Sequence, residues 1–111
     1  MREAFGARGA FAVSADILPS DRPTTEHTRH HQGDVLSILG HDWDLLIAHP
    51  PCTYLTNSQG WRVLRDPARW KQMEEGAAFF NEFIRAPVPH ICVENPIPSG
   101  EARALMDKPY T

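Results

Sequence analysis

This chain of 111 residues has two cysteines, no net positive charge and no long apolar run. Its two cysteines stand in unlike contexts, so they indicate neither a disulfide framework nor a zinc-binding pattern, and we expect a reducing cytoplasm. With a formal charge of −3, the chain lacks the overall positive charge that is typical of a dedicated nucleic-acid-binding protein. An enzyme can nevertheless bind DNA through a local basic patch. No apolar stretch approaches a membrane span, and no signal-peptide hydrophobic region begins the chain. We therefore expect a cytoplasmic protein without a membrane partner.

What the chain does contain predicts one α/β domain. Hydrophobic residues make up 41% of the sequence, which is ordinary for a globular chain with a single core. Trp43 to Ala48 and His90 to Val93 are short apolar runs, typical of strands covered on both faces in a parallel sheet. Cys92, inside the second run, is accordingly predicted to be buried.

A long amphipathic segment separates the two runs. Asp66 followed by Pro67 marks a helix start, and one apolar stripe then continues to Ala86. Its members recur at steps of three and four: Trp70, Met73, Ala77, Phe80 and Ile84. Parallel neighbouring strands require a connection of this length, so we expect the two runs to pair with each other.

Chemically useful side chains follow both predicted strands. The first strand leads into His49-Pro50-Pro51-Cys52, and the second leads into Glu94-Asn95-Pro96. Proline has no backbone N–H and a fixed φ, so each proline segment ends a strand and holds its neighbours in place. Ligands bind beyond the carboxyl ends of parallel strands, which predicts that Cys52 and Glu94 face one crevice.

A cysteine and a glutamate in one crevice are the minimum needed for covalent attack on a pyrimidine. The thiolate adds to ring carbon 6, while the carboxyl group holds and protonates ring nitrogen 3, which makes carbon 5 nucleophilic. The alternative interpretations are a cysteine that serves as a small buried hydrophobe and a glutamate that caps its loop.

The first 40 residues contain two acidic residues at element ends. We predict a helix over Arg2 to Arg8 closed by Gly9, and then a strand over residues 10–16 that ends at Asp16. An acidic residue there commonly accepts hydrogen bonds from ribose hydroxyls, although Asp16 can equally cap a turn. Asp34 precedes a short apolar helix, Val35 to Leu39, where it serves as an N-cap or reaches an adenine amino group.

Two polar stretches are predicted to be loops. Pro19 to His31 contains three histidines but no matching cysteine or acidic spacing, so we interpret the imidazoles as solvated and predict no metal. Thr53 to Arg65 carries polar and aromatic residues that can close over a base, or it is a mobile connector. Arg62, Arg65, Arg69 and Lys71 form either a local basic patch or a solvated helix face.

The motifs at both strand ends resemble those of one enzyme family. The segment from Ile47 to Leu55, with His-Pro-Pro-Cys-Thr-Tyr-Leu, resembles the Pro-Cys nucleophile motif of DNA cytosine-5 methyltransferases, and Val93 to Pro96 resembles their Glu-Asn motif. The wider pattern is most similar to small phage and prophage proteins of this type, and the resemblance extends over nearly the whole chain.

The resemblance implies a partial Rossmann-like sandwich with a mainly parallel sheet over residues 1–111 and S-adenosylmethionine as methyl donor. Cys52 and Glu94 are then the catalytic residues, and a DNA cytosine is the substrate, flipped out of its duplex. The expected cofactor contacts are Asp16, Asp34 and Pro50. The expected substrate contacts are Pro51, Thr53, Tyr54, Asn57, Ser58 and Asn95.

The sequence also departs from the family pattern. Thr53 stands where glutamine commonly follows the Pro-Cys pair, and the glycine loop, later arginine motif and target-recognition region are missing from these 111 residues. We therefore expect a chain truncated at both ends, with an exposed sheet edge that favours self-association. The alternatives are a catalytically inactive remnant, an accessory nucleotide- or DNA-binding module, and a methyltransferase for a free nucleotide or an exocyclic amine.

Overall fold

The computed structural model describes residues 1–107, and its mixed α/β class confirms the general fold prediction. Four α-helices and four strands occur in this described part. The helices are α1 (Arg2–Ala7), α2 (Gly60–Arg65), α3 (Pro67–Ile84) and α4 (Gly100–Leu105). The strands are β1 (Ala12–Asp16), β2 (Thr28–Gln32), β3 (Leu45–Ala48) and β4 (His90–Val93). Short 3-10 helices cover Val35–Ser37 and Asn57–Gln59.

The strands pair as two parallel two-stranded sheets. The chain divides into two compact units, Met1–Gly40 and the part from His41 onward.

The first unit contains a strand that the sequence did not predict. β2 pairs with β1 in parallel, from Ala12 opposite Thr28 to Asp16 opposite Gln32, so the loop predicted over Pro19 to His31 is wrong in its final residues. The sequence Thr-Arg-His-His-Gln lacks an apolar run, which explains why it predicts no strand. Hydrogen bonds support it instead: His30 Nδ1 lies 2.8 Å from Ser14 Oγ, and its Nε2 lies 2.8 Å from the Leu18 carbonyl oxygen. His30 and His31 are partly buried, which corrects their interpretation as solvated.

A buried arginine joins the elements of this unit. The Arg2 guanidinium donates to Ser14 Oγ at 3.0 Å, to the Arg29 carbonyl at 3.3 Å and to the Arg22 carbonyl at 3.3 Å. It also pairs with Glu3 at 2.9 Å, and backbone and Arg2 hydrogen bonds lower the pKa of that carboxyl. A buried arginine is tolerated because its donors are satisfied. Arg2 thereby links α1 to both strands and to the connection between them.

The second unit has the predicted strand, helix and strand. Leu45 to Ala48 pair in parallel with His90 to Val93, and α3 connects the strands. The Asp66 side chain accepts a hydrogen bond from Ala68 N at 3.0 Å, and Pro67 occupies the first helical position, as predicted.

The main core lies between α3 and the segments that surround it. Met73, Ala77 and Phe80 of the predicted stripe are almost fully buried, and Ile84 packs at the edge, whereas Trp70 is exposed. The other buried members of the core are Leu55, Val63, Ala102 and Met106. Among the described residues, no helix is long and apolar enough to cross a membrane.

Two predictions for this unit are wrong. Cys92 is exposed rather than buried, because only one face of the β3–β4 sheet packs on the core. Residues alternate in a strand, so Cys92 lies on the face opposite Val93, which packs against the core cluster. The loop predicted over Thr53 to Arg65 is also largely helical, because Val63, 2% exposed, anchors α2 in the core.

Candidate functional site

The ends of β3 and β4 bring the two predicted catalytic segments to one edge. Ala48 and Val93, the last residues of the strands, are register partners. The Glu94 N–H donates to the Ala48 carbonyl at 2.9 Å, which extends the ladder by one step. His49 and Glu94 therefore leave adjacent strands at the same level, and Cys52 follows three residues after His49.

The residue that faces Glu94 is one that the sequence analysis did not select. His49 Nδ1 lies 3.5 Å from Glu94 Oε2, and the two side chains are 57% and 61% exposed. This distance joins an imidazole nitrogen to a carboxylate oxygen. Because both side chains reach solvent, the pair is open to a ligand. The sequence did contain one signal for this contact. His49 and Glu94 each directly follow a strand of the predicted parallel pair, so they are expected at the same edge.

A tight turn carries Cys52. Its carbonyl accepts hydrogen bonds from Leu55 N at 2.9 Å and Thr56 N at 3.2 Å, and Leu55 is fully buried. Pro50 is also buried, while Pro51 is exposed and Cys52 is partly buried. Cys52 thus lies on a turn fixed on one side by a proline and on the other by a core leucine.

The segment after Cys52 is bonded to the segment after Glu94. Asn57 N donates to the Ile97 carbonyl at 2.9 Å, and Ser99 N donates to the Leu55 carbonyl at 2.8 Å. These bonds flank a bridge between Thr56 and Pro98. The Cys52 turn and the Glu94 segment are therefore held together twice, by the parallel ladder before them and by this bridge after them.

Asn95 contains an unsatisfied acceptor at this edge. Its Nδ2 donates to the Pro96 carbonyl at 2.8 Å, but its Oδ1 is buried without a hydrogen-bond partner. Within the described part of the chain, it is the one buried side-chain N or O atom without a hydrogen-bond partner. A buried polar atom without a partner costs stability, and such atoms in native proteins call for an explanation.

A groove of about 320 Å³ lies beside the Cys52 turn. Three predicted substrate contacts, Pro51, Thr53 and Tyr54, line it, and the remaining lining residues are Leu55, Gln72, Glu75, Gly76 and Phe79. Among the described residues, Cys52 and Glu94 are outside this lining. Asn57 and Ser58 are exposed, and Ser58 Oγ lies 3.0 Å from Thr56 Oγ1. The predicted substrate contacts are therefore divided between the groove, the bridge and the Glu94 segment.

The two predicted cofactor carboxylates belong to the first unit, where each makes a local cap. Asp16 Oδ1 accepts from Leu18 N at 3.1 Å, and Asp34 Oδ1 accepts from Leu36 N at 3.0 Å. Both side chains are exposed. The capping alternatives are thus confirmed for both residues, and each retains a second carboxylate oxygen.

Comparison with known proteins adds no relative: no protein-family model, curated protein or solved structure matches this chain. Functional inference therefore depends on the residues at the ends of β3 and β4.

Proposed function

We propose that this chain is an S-adenosylmethionine-dependent methyltransferase that acts on carbon 5 of cytosine in DNA. The observation that supports this most is the pairing of β3 with β4, which brings the Pro-Pro-Cys turn and Glu94 to one sheet edge. A covalent mechanism needs a thiol and a proton-donating carboxyl group on the same base, and this edge offers both.

Cys52 and Glu94 have different roles in the proposed reaction. The Cys52 thiolate forms a bond to carbon 6 of the cytosine as Glu94 gives a proton to nitrogen 3, and electron density moves to carbon 5. S-adenosylmethionine, when bound, would supply the electrophilic methyl group that carbon 5 takes up, and it would leave as the neutral thioether. Water in this exposed site then takes the carbon 5 proton, and the electrons of that bond expel the cysteine thiolate and restore the aromatic ring. Glu94 takes back its proton from nitrogen 3.

His49 belongs to the same proposal as a positioning residue. Its contact with Glu94 holds the carboxylate at the strand end, where Glu94 can reach the base. The side chains of His49 and Glu94 are both more than half exposed, so few other contacts fix the Glu94 rotamer, and the contact with His49 restricts it.

The fit of the methyl donor rests on the acidic residues of the first unit. Asp16 and Asp34 are exposed, and each uses one carboxylate oxygen in its cap, so the other can accept from ribose hydroxyls or an adenine amino group. Pro50 is buried and supports the Cys52 turn.

The finer structural and cellular assignments are part of this proposal. They are a single partial Rossmann-like domain, a cytoplasmic location and self-association through an unpaired sheet edge. Each sheet has two strands, so each has two outer edges, and open edges favour pairing with another chain.

Covalent trapping tests the function. The chain is incubated with S-adenosylmethionine and DNA that contains 5-fluorocytosine, whose fluorine cannot leave as a proton does, so the enzyme stays bonded to the base. We expect an adduct that is resistant to denaturation, that Cys52→Ser abolishes and that Glu94→Gln strongly slows. Cys92→Ser is the matched control, because it removes the other thiol and leaves trapping intact.

Other outcomes would replace the proposal. Methyl transfer to DNA or to a free nucleotide without an adduct favours an exocyclic amine as the methyl acceptor. DNA or nucleotide binding without methyl transfer favours an accessory module. An adduct that forms equally well in Cys52→Ser removes Cys52 from the mechanism.

A further inference from the structure

An exposed tryptophan on α2 carries two arginines. The Arg62 guanidinium carbon lies 5.1 Å from the Trp61 ring centroid, and that of Arg65 lies 5.6 Å from it. Both distances are within the range of cation–π attraction. Trp61 is 56% exposed, and both arginines are exposed. We refer to Trp61, Arg62 and Arg65 together as the Trp61 cluster.

Arg62 and Arg65 differ from two other arginines of this unit, which are paired with carboxylates. Arg69 lies 3.6 Å from Asp66, and Arg85 forms two hydrogen bonds with Asp107, which raises the pKa of Arg85. Neither Arg62 nor Arg65 has a carboxylate partner among the described residues. A guanidinium held at a ring keeps its in-plane N–H groups available, so it can bind a phosphate without losing that contact.

The location of the cluster connects it to the proposed site. α2 follows the Cys52 turn after one 3-10 helix, and Val63, between the arginines, anchors α2 in the core. The Asn57 bond to Ile97 also ties the start of this segment to the chain that follows Glu94. The two guanidiniums are therefore carried on a firmly attached element of the unit that holds Cys52 and Glu94.

We propose that the Trp61 cluster binds phosphate groups of the DNA strand that carries the target cytosine. Arg62 and Arg65 supply the charge, and Trp61 holds them in place. This inference rests on the proposed function, and it assigns DNA binding to a local patch on a chain whose net charge is −3. An acidic protein segment is the competing partner for two unpaired guanidiniums.

Salt-dependent binding tests the cluster without turnover. A labelled single-stranded oligodeoxynucleotide containing cytosine is titrated with the chain in the absence of S-adenosylmethionine, at several NaCl concentrations. We expect Arg62→Gln with Arg65→Gln to weaken binding at least tenfold at low salt. The slope of log affinity against log salt should fall by about 1.4, because each single-strand phosphate contact contributes about 0.7.

Two further variants separate charge from position. Trp61→Leu should weaken binding but keep nearly the whole slope, because both charges remain, whereas Trp61→Phe should bind almost as the native chain does. Arg8→Gln, which removes one exposed arginine just after α1, is the control for loss of positive charge outside the cluster and should leave the slope unchanged.

Three results would contradict the proposal that the Trp61 cluster binds DNA. They are an unchanged slope in the double arginine variant, an equal loss in Arg8→Gln, and binding to a polyglutamate peptide in preference to DNA. Trapping with 5-fluorocytosine distinguishes this failure from failure of the methyltransferase proposal. A native chain that forms the adduct while the double variant keeps the native slope refutes the cluster alone. Native DNA binding that depends on Arg62 and Arg65 without any adduct refutes only the cytosine-5 assignment.

Discussion

The chemistry proposed for single residues depends on a contact between two exposed side chains. His49 and Glu94 are neighbours because each directly follows a strand, and the strand ends are register partners. Exposed ion pairs contribute little to stability, so the significance of this pair lies in the position that it gives Glu94.

We expect His49→Asn to slow adduct formation about tenfold, a modest part of what general acid–base groups contribute. Single-turnover trapping measures the rate. His90→Asn, on the exposed part of β4, is the control. Equal rates for the native chain and His49→Asn would exclude the positioning role.

The thiols provide a second test at this scale. Because Cys92 is exposed and Cys52 is partly buried, brief alkylation of the native chain should modify Cys92 at least as fast as Cys52. Saturating DNA should then protect Cys52 and leave Cys92 reactive. Peptide mapping after labelling measures both rates. Protection of Cys92 in preference to Cys52 would place the DNA on the wrong face of the sheet.

At the scale of elements, α3 connects β3 to β4 and also holds the chain that follows α4. Asn81 of α3 is buried, its Nδ2 donates to the Leu105 carbonyl at 2.9 Å, and its Oδ1 accepts from Asp107 N at 2.8 Å. One side chain therefore satisfies two backbone groups where α4 ends.

Replacing this side chain should loosen that junction. We expect Asn81→Ala to lower the free energy of unfolding by about 2 to 3 kcal/mol, because it leaves a carbonyl and an N–H without their partners. Chemical denaturation measures the change. Glu82→Ala, at the next and exposed position, should alter stability by less than about 0.5 kcal/mol. Equal losses in the two variants would show that the two bonds do not stabilise the fold.

At the scale of the whole molecule, few of the described side chains are deeply buried. The main cluster has seven buried members, and Met73 at its centre is fully excluded from solvent. Small cores leave little margin, since natural domains are stable by only about 5 to 15 kcal/mol in total.

Met73→Ala should consequently cost about 2 to 5 kcal/mol, the usual range for a buried methionine truncated to alanine. Thermal and urea unfolding should both register the loss. Leu64→Ala is the comparison, because Leu64 is 61% exposed and its truncation should be nearly neutral. A neutral Met73→Ala would mean that the core around α3 is not the stabilising one.

Much of the frame around the candidate site followed from local sequence signals. The cap at Asp66, the stripe that contains Met73 and the apolar runs before His49 and Glu94 each depend on neighbours in the chain, as propensity and periodicity do. The length of the connection then favoured parallel pairing, which placed Cys52 and Glu94 at one edge.

The sequence by itself therefore determined the strand, helix and strand that carry the candidate site. Only the tertiary structure decided the contacts between residues distant in the chain. β2 has no apolar pattern and forms because polar side chains such as His30 find partners across the unit. Cys92 is exposed because α3 packs near only one face of its sheet, and His49 matters because register sets it beside Glu94. Periodicity reports which faces can be buried, whereas packing and register determine which residues meet.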